Sequence, residues 1–347
     1  MAADPRIPVA VIGATGYVGA ELLRFLVPHP NVDVVFASSE QYRGKAVGDV
    51  FPFLRATCDL RLEAHDPAIA AAKADVVFLA VPHGTAVPLA EGLLAKGRRV
   101  IDTSADFRLK DAAVYARWYG EHKAPHLLEE AVYGIPELYR AQMPGARLVA
   151  GPGCYPTGAL LGLVPLARAG LVTESVIVDA KSGTTGAGRS AKVEQLFAEV
   201  NENFRAYAID AHRHGPELEQ ELRAAGGRVR PLFVPHLLPV SRGILSTIYV
   251  SGAAAAEADL SAIFEGAWGK EPFIELRGDG TPPELRDVRG TNRCVIGWRQ
   301  SPESRQAIVV TAIDNLGKGA AGTAVQCLNV MLGLPETTGL LLPPLAP

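Results

Sequence analysis

The sequence predicts an α/β protein with two domains: a Rossmann-type doubly wound parallel sheet, then an α+β domain built on a mixed sheet. Three observations lead there. At 347 residues the chain exceeds what one core usually holds. Over its first half, short continuous apolar runs alternate with amphipathic stretches, the pattern of parallel strands covered on both faces by helices. Beyond Cys154 the strand-like runs crowd together, and several alternate apolar and polar residues.

In order, the first domain reads as strands over 9–12, 32–37, 75–81 and 99–102, with helices over 17–26, 68–73 and 87–96. The apolar run 159–167 reads as a helix opened by a Gly/Pro turn, with Pro156 suited to the first helical position because it lacks an N–H. The second domain reads as strands over 175–181, 230–235, 244–250, 272–276, 293–298 and 307–313, and as helices over 191–203, 216–225 and 259–268. A last helix is expected over 319–333, followed by a Pro-rich tail from 334.

Composition excludes several classes. Apolar residues are 48% and charged residues 20%, ordinary for a soluble globular protein. A net charge of −3 with no Lys/Arg block argues against a nucleic-acid partner. No apolar run reaches the ~18 residues of a membrane span, and the N-terminus lacks a secretory h-region. Cys58, Cys154, Cys294 and Cys327 form neither a C-x-x-C pair nor a cluster with histidine, so no metal is expected and reduced thiols in a cytoplasmic enzyme are the better reading.

Gly13-Ala14-Thr15-Gly16-Tyr17-Val18-Gly19 follows the first strand and opens the first helix. Glycines there let a pyrophosphate approach the backbone at the helix N-terminus, although the same turn also serves without a ligand. The second strand ends in Ser38 and Ser39, with Arg43 and Lys45 close behind, where NAD binders carry a carboxylate. Hydroxyls and cations suit a 2′-phosphate, so NADP(H) is expected over NAD; Glu40 weighs the other way.

Pro152-Gly153-Cys154-Tyr155-Pro156-Thr157 places a cysteine in a turn at a helix start, where N–H groups and the helix dipole favour a thiolate. Beside a dinucleotide loop, such a cysteine implies interconversion of an aldehyde and an activated acid through a thioester. The other three cysteines lack this framing and read as buried filler. Thioester chemistry needs an acid/base, and His212-Arg213-His214-Gly215-Pro216-Glu217 supplies two histidines around an arginine at a helix start. His29, His65, His122 and His126 read as surface residues. Arg108 follows a strand end, as either an anion clamp or the partner of a carboxylate such as Asp106. The loop 182–189, containing Ser182, Gly186 and Ala187, offers N–H groups to an anion or a nicotinamide amide, or simply connects two elements.

Taken together, the segments 13–19, 102–108, 133–137, 153–157, 182–189, 212–217, 235–245 and 314–322 resemble the N-acetyl-gamma-glutamyl-phosphate reductase family. The resemblance implies NADPH-dependent reduction of an acyl phosphate to a semialdehyde in arginine biosynthesis, with release of phosphate. It places Cys154 as nucleophile and His214, or less directly His212, as acid/base. Asn315 and the loop around Gly186 and Ala187 match positions near the cofactor, and Arg108, Arg213 and Glu217 are candidates for the substrate. It further implies a fold of the aspartate-semialdehyde dehydrogenase type: an NADP-binding domain of residues 1–151 and 316–347, a catalytic and dimerisation domain of residues 152–315, and a homodimer or homotetramer. Related acyl phosphates, aspartyl phosphate and N-acyl-aminoadipyl phosphate, share the framework, and a catalytically silent NADP-binding regulator is the non-enzymatic alternative. The family typically carries Asn where this chain has Gly151.

Overall fold

The computed structural model describes residues 6–345. The chain divides into two compact units: the described residues through Pro152 together with Ala320–Leu341, and Gly153–Gly319 with the described residues from Leu342.

The first unit is a six-stranded, wholly parallel sheet in the order β2-β1-β3-β4-β6-β5. Its strands are β1 (Ile7–Ile12), β2 (Val32–Ser38), β3 (Val76–Leu79), β4 (Arg99–Asp102), β5 (Val132–Tyr133) and β6 (Leu148–Ala150). β3 is buried along its whole length, as a strand covered on both faces must be. The sequence pattern missed β5 and β6, which at two and three residues are too short to carry a period. It also missed the helix Ala112–Tyr119. Helices Tyr17–Leu26, Pro67–Lys73 and Ala86–Leu94 match the expected positions. The helix expected over 319–333 begins as a π turn, Gly317–Ala321, before the α-helix Gly322–Met331. The order reverses around β1 and β3, and in open α/β sheets ligands bind at the carboxyl ends beside such a reversal.

The second unit is a seven-stranded mixed sheet in the order β11-β12-β13-β10-β7-β9-β8. Its strands are β7 (Val176–Ser182), β8 (Arg205–Ala206), β9 (Leu232–Leu237), β10 (Ile244–Ser251), β11 (Ile274–Asp279), β12 (Cys294–Ser301) and β13 (Gln306–Ile313). β7 pairs with β9, and β11 with β12, in parallel; the other pairs are antiparallel. β7 and β10 alternate strictly between buried and half-buried residues, so one face packs on the core and the other does not.

The helix Cys154–Arg168 runs along the packed side. Pro165 interrupts its hydrogen-bond ladder, because a residue without an N–H cannot bond the carbonyl of Leu161. The indole N–H of Trp268, in the helix Leu260–Trp268, donates to that carbonyl at 2.9 Å and closes the gap. The helix expected over 191–203 does not form. It breaks into a 3-10 turn, Val193–Gln195, and a single helical turn, Phe197–Val200, with extended backbone at Leu196 between them. Val193, Leu196 and Phe197 are all exposed, so no packing offsets the cost of a short helix.

Candidate active site

Gly153 and Cys154 open the long helix of the second unit. Cys154 is its first residue and Pro156 its third, two places later than expected; the first three residues form no intrahelical N–H bond, so proline fits there equally well. The first intrahelical bond runs from the Thr157 N–H to the Gly153 carbonyl, at 3.0 Å. No side chain caps this helix end. Cys154 is half-buried, whereas Cys58, Cys294 and Cys327 are buried; all four are thiols.

Two side chains from the start of the helix Gly215–Ala224 close on this turn. The Gly153 N–H donates to Oε1 of Glu217 at 2.7 Å. A Cβ built on Gly153 would lie 2.6 Å from Nε2 of His214 and 2.8 Å from Oε2 of Glu217. Residue 153 must therefore be glycine for His214 and Glu217 to sit against the residue preceding the sulfur. Glu217, expected at the substrate, is buried and bonded to backbone, so it shapes the turn.

His212 occupies a different environment. Its ring packs edge-on against Tyr155, Tyr207 and Phe233, and 4.7 Å from the ring of His214. Its Nδ1 accepts the backbone N–H of His214 at 3.1 Å, which places the proton on Nε2. Burial, reinforced by the neighbouring charge of Arg213, pushes its pKa down to about 4. A histidine held neutral and engaged in this way fixes the loop that carries His214. Arg213 itself is exposed. The sequence reading overlooked Tyr155 and Tyr207: the two hydroxyls meet at 3.1 Å, and that of Tyr155 also donates to the His236 carbonyl. Burial drives the Tyr155 phenol far above its ordinary value.

Ser182 is buried at the end of β7, and Gly186 and Ala187 are exposed in the following loop. Asn315 organises that loop. Its Oδ1 accepts the Gly243 N–H at 2.8 Å, and its Nδ2 donates to Oγ1 of Thr185 at 2.9 Å.

In the first unit, Gly13 has φ +86°, and a Cβ there would strike the Ala80 carbonyl oxygen at 2.3 Å. Thr15, Gly16, Tyr17 and Val18 are half-buried, Gly19 is buried, and only the Gly13 carbonyl, at 3.8 Å, would touch a Cβ on Gly16. The helix Tyr17–Leu26 has no side-chain cap and no acidic residue in its first turn. The helices Pro67–Lys73 and Ala112–Tyr119 are, in contrast, capped by Asp66 and Asp111. An uncapped end of a ten-residue helix, behind a glycine turn, suits an anion.

Ser38 and Ser39 are buried at the end of β2, bonded to Nδ1 of His65 (2.8 Å) and Oγ1 of Thr15 (2.7 Å). Arg43 is exposed. Glu40 accepts the His65 backbone N–H at 2.7 Å.

Arg108 is buried, its Nε donating to the Gly151 carbonyl at 2.7 Å and its Nη2 to the Thr103 carbonyl at 3.1 Å. It thus braces the loop after β4. Gly151 donates its own N–H to the Asp102 carbonyl at 2.6 Å, and a Cβ there would lie 3.0 Å from that oxygen. The Asp102 backbone thus occupies the space that a side chain at position 151 would need. Two histidines expected at the surface are buried instead. Nε2 of His29 meets Oδ1 of Asn329, and Nε2 of His122 meets the Asp106 carbonyl, while the Nδ1 of each accepts a backbone N–H.

Comparison with known proteins identifies the family. The family profile "Semialdehyde dehydrogenase, NAD binding domain" matches residues 8–146, and "Semialdehyde dehydrogenase, dimerisation domain" matches residues 154–315. The N-acetyl-gamma-glutamyl-phosphate reductase of Geobacter sp. (strain M21) is 50% identical over 345 residues, covering 98% of this chain and all of the relative. That of Alkalilimnicola ehrlichii is 48% identical over 344 residues, with the same coverage. Among solved structures, aspartate semialdehyde dehydrogenase II of Vibrio cholerae superposes with a TM-score of 0.71 at 19% identity, covering 95% of this chain and 99% of the other, a likeness of fold alone. The glycine turn and the sheet order of the first unit are therefore those of an NAD(P)-binding domain, and the mixed sheet of the second is that of a dimerisation domain. The chain belongs to the N-acetyl-gamma-glutamyl-phosphate reductase family of the semialdehyde dehydrogenases.

Proposed function

We propose that this chain reduces N-acetyl-L-glutamyl 5-phosphate to N-acetyl-L-glutamate 5-semialdehyde with NADPH, releasing phosphate, as a step of arginine biosynthesis. The observation that carries the reading is the approach of His214 Nε2 to Gly153, next to the half-buried Cys154.

The Cys154 thiolate attacks the acyl carbon, and the first turn of its helix faces the negative charge that develops on the carbonyl oxygen. The C–O bond to phosphate breaks and leaves a thioester on Cys154. NADPH, when bound, supplies the hydride that takes the thioester to the aldehyde level. His214 delivers the proton to the oxygen and recovers it as the carbon–sulfur bond breaks, which returns the thiolate. Glu217 and His212 keep the Gly153 turn and the His214 loop in place, and exposed Arg213 offers a cation to the anionic substrate.

The turn of Gly13, Thr15, Gly16, Tyr17, Val18 and Gly19 holds the pyrophosphate. The preference for NADP rests on Ser38 and Ser39 standing where a ribose-binding carboxylate would be, on exposed Arg43, and on Glu40 being engaged by the His65 backbone. We further infer that the first unit carries the cofactor, that the second carries the nucleophile and the self-association surface, and that the protein works as a homodimer or homotetramer.

The test is the reverse reaction. Purified protein with N-acetylglutamate semialdehyde and NADP should form NADPH only when phosphate is present. A rate independent of phosphate, a higher kcat/KM with aspartate semialdehyde, or a preference for NAD would each overturn the part it addresses.

A further inference from the structure

The carboxylate of Asp314 lies at the meeting point of three segments of the second unit and is completely buried. Its Oδ1 accepts the N–H groups of Leu316 and Gly317 at 2.8 and 2.9 Å, and its Oδ2 accepts that of Gly290 at 2.6 Å. The guanidinium of Arg242 spans both oxygens, with Nε at 2.9 Å from Oδ2 and Nη2 at 3.0 Å from Oδ1. A buried carboxylate needs such a partner, and a two-pronged contact fixes direction as well as charge.

The turn organised by this carboxylate leads to the sulfur. The Gly319 N–H closes on the Asp314 carbonyl at 2.8 Å. A Cβ built on Gly319 would lie 2.9 Å from Cβ and 3.4 Å from Cα of Cys154, so the backbone at 319 forms a wall against the nucleophile and limits the arc open to Sγ. Turning the 314–319 segment by a fraction of an ångström moves that wall. The neighbouring Asn315 carries the same turn to Thr185 in the glycine loop.

We propose that Asp314, locked by Arg242, is a positioning residue for Cys154, setting the sulfur's orientation through the 314–319 turn. The inference rests on Cys154 being the nucleophile.

The experiment uses the full chain with Arg242→Gln, Arg242→Lys and Asp314→Asn, and with Cys154→Ser as control. It reads the rate of Cys154 alkylation by iodoacetamide against pH, steady-state kcat and KM, and NADP binding by fluorescence. Arg242→Gln and Asp314→Asn should move the alkylation profile and lower kcat about 10²-fold, as a nucleophile displaced by about 1 Å would. KM should change less than about threefold, NADP binding should persist, and Arg242→Lys should recover most of the rate. A folded Arg242→Gln protein with the parental alkylation profile and kcat overturns the proposal, whether or not Asp314→Asn folds. Turnover by Cys154→Ser would instead remove the nucleophile assignment, so the two failures are distinguishable.

Discussion

The chain contains two glycine-framed turns that each end a strand and start a helix, and they use glycine for opposite ends. In the turn 13–19, Gly13 is required because backbone crowds it: the Ala80 carbonyl would lie 2.3 Å from any Cβ. Around Gly16 almost nothing approaches, and the helix end behind it has no side-chain cap. In the turn 152–157, Gly153 is required because side chains crowd it: His214 and Glu217 stand where its Cβ would be. The first turn keeps open space at Gly16, and the second fills the corresponding space with two of the protein's own side chains, His214 and Glu217. Glycine in a helix-opening loop thus answers two different needs, close approach at Gly13 and Gly153 and open space at Gly16.

This contrast can be broken by substitution. The largest effect should come from His214→Asn, which removes the proposed acid/base and should lower kcat by about 10²–10⁴-fold while NADP binding is retained. His212→Asn should cost less turnover and more stability, since His212 is packed and neutral; the reverse ranking would exchange their roles. Next, Gly153→Ala should lower kcat about 10²-fold by displacing His214, with NADP affinity unchanged. Gly13→Ala should do the opposite, weakening NADP binding and leaving Cys154 alkylation intact. Titration calorimetry and alkylation kinetics on the same two proteins decide this, and a common defect in both would show that the turns are not independent.

The smallest effect is in pH dependence, and it differs in sign between the units. In the second unit, His212 has a pKa of about 4 against 6.5 when exposed. The stability tied to its neutral form is complete above pH 6.5 and is lost as pH falls towards 4, by about 1–3 kcal/mol. In the first unit, burial raises Asp102 to about 7 from 3.8, with a smaller opposing pull from the Ser104 hydroxyl. The stability tied to its neutral form is complete below pH 3.8 and declines as pH rises through 7. Hydrogen exchange resolved by segment should show protection around β4 falling as pH rises from 3.8 to about 7, and protection around 212–217 falling as pH drops from 6.5 to about 4. Asp102→Asn should flatten the first trend.

Much of this was legible in the sequence because it is local. The parallel sheet follows from continuous apolar strands, and the Cys154 and His212–Glu217 segments stand out as candidates in a few adjacent letters. What stayed hidden depends on partners distant in the chain. The run 191–203 has the composition of a helix, yet Val193 and Phe197 find nothing to bury them and the helix breaks. His29 and His122 read as polar surface residues, but each is buried because both of its ring nitrogens are engaged, as Asn329 engages His29. Arg108 has the right chemistry for a phosphate, while its Nε and Nη2 bond two backbone carbonyls that no motif announces. Asp314 sits beside Asn315, and nothing in the sequence says that Gly290 and Arg242 come to meet it.

The proline within the helix that begins at Cys154 has a consequence for how this sequence can drift over generations. Pro165 strips Leu161 of its usual donor, and Trp268 supplies one from another helix. The tryptophan cannot change first without cost, because losing the indole strands a carbonyl in the interior, whereas restoring an amide at 165 makes the indole redundant. Across descendants of this chain the two positions should be inherited as a pair, proline with tryptophan, or an ordinary residue with freedom at its distant counterpart.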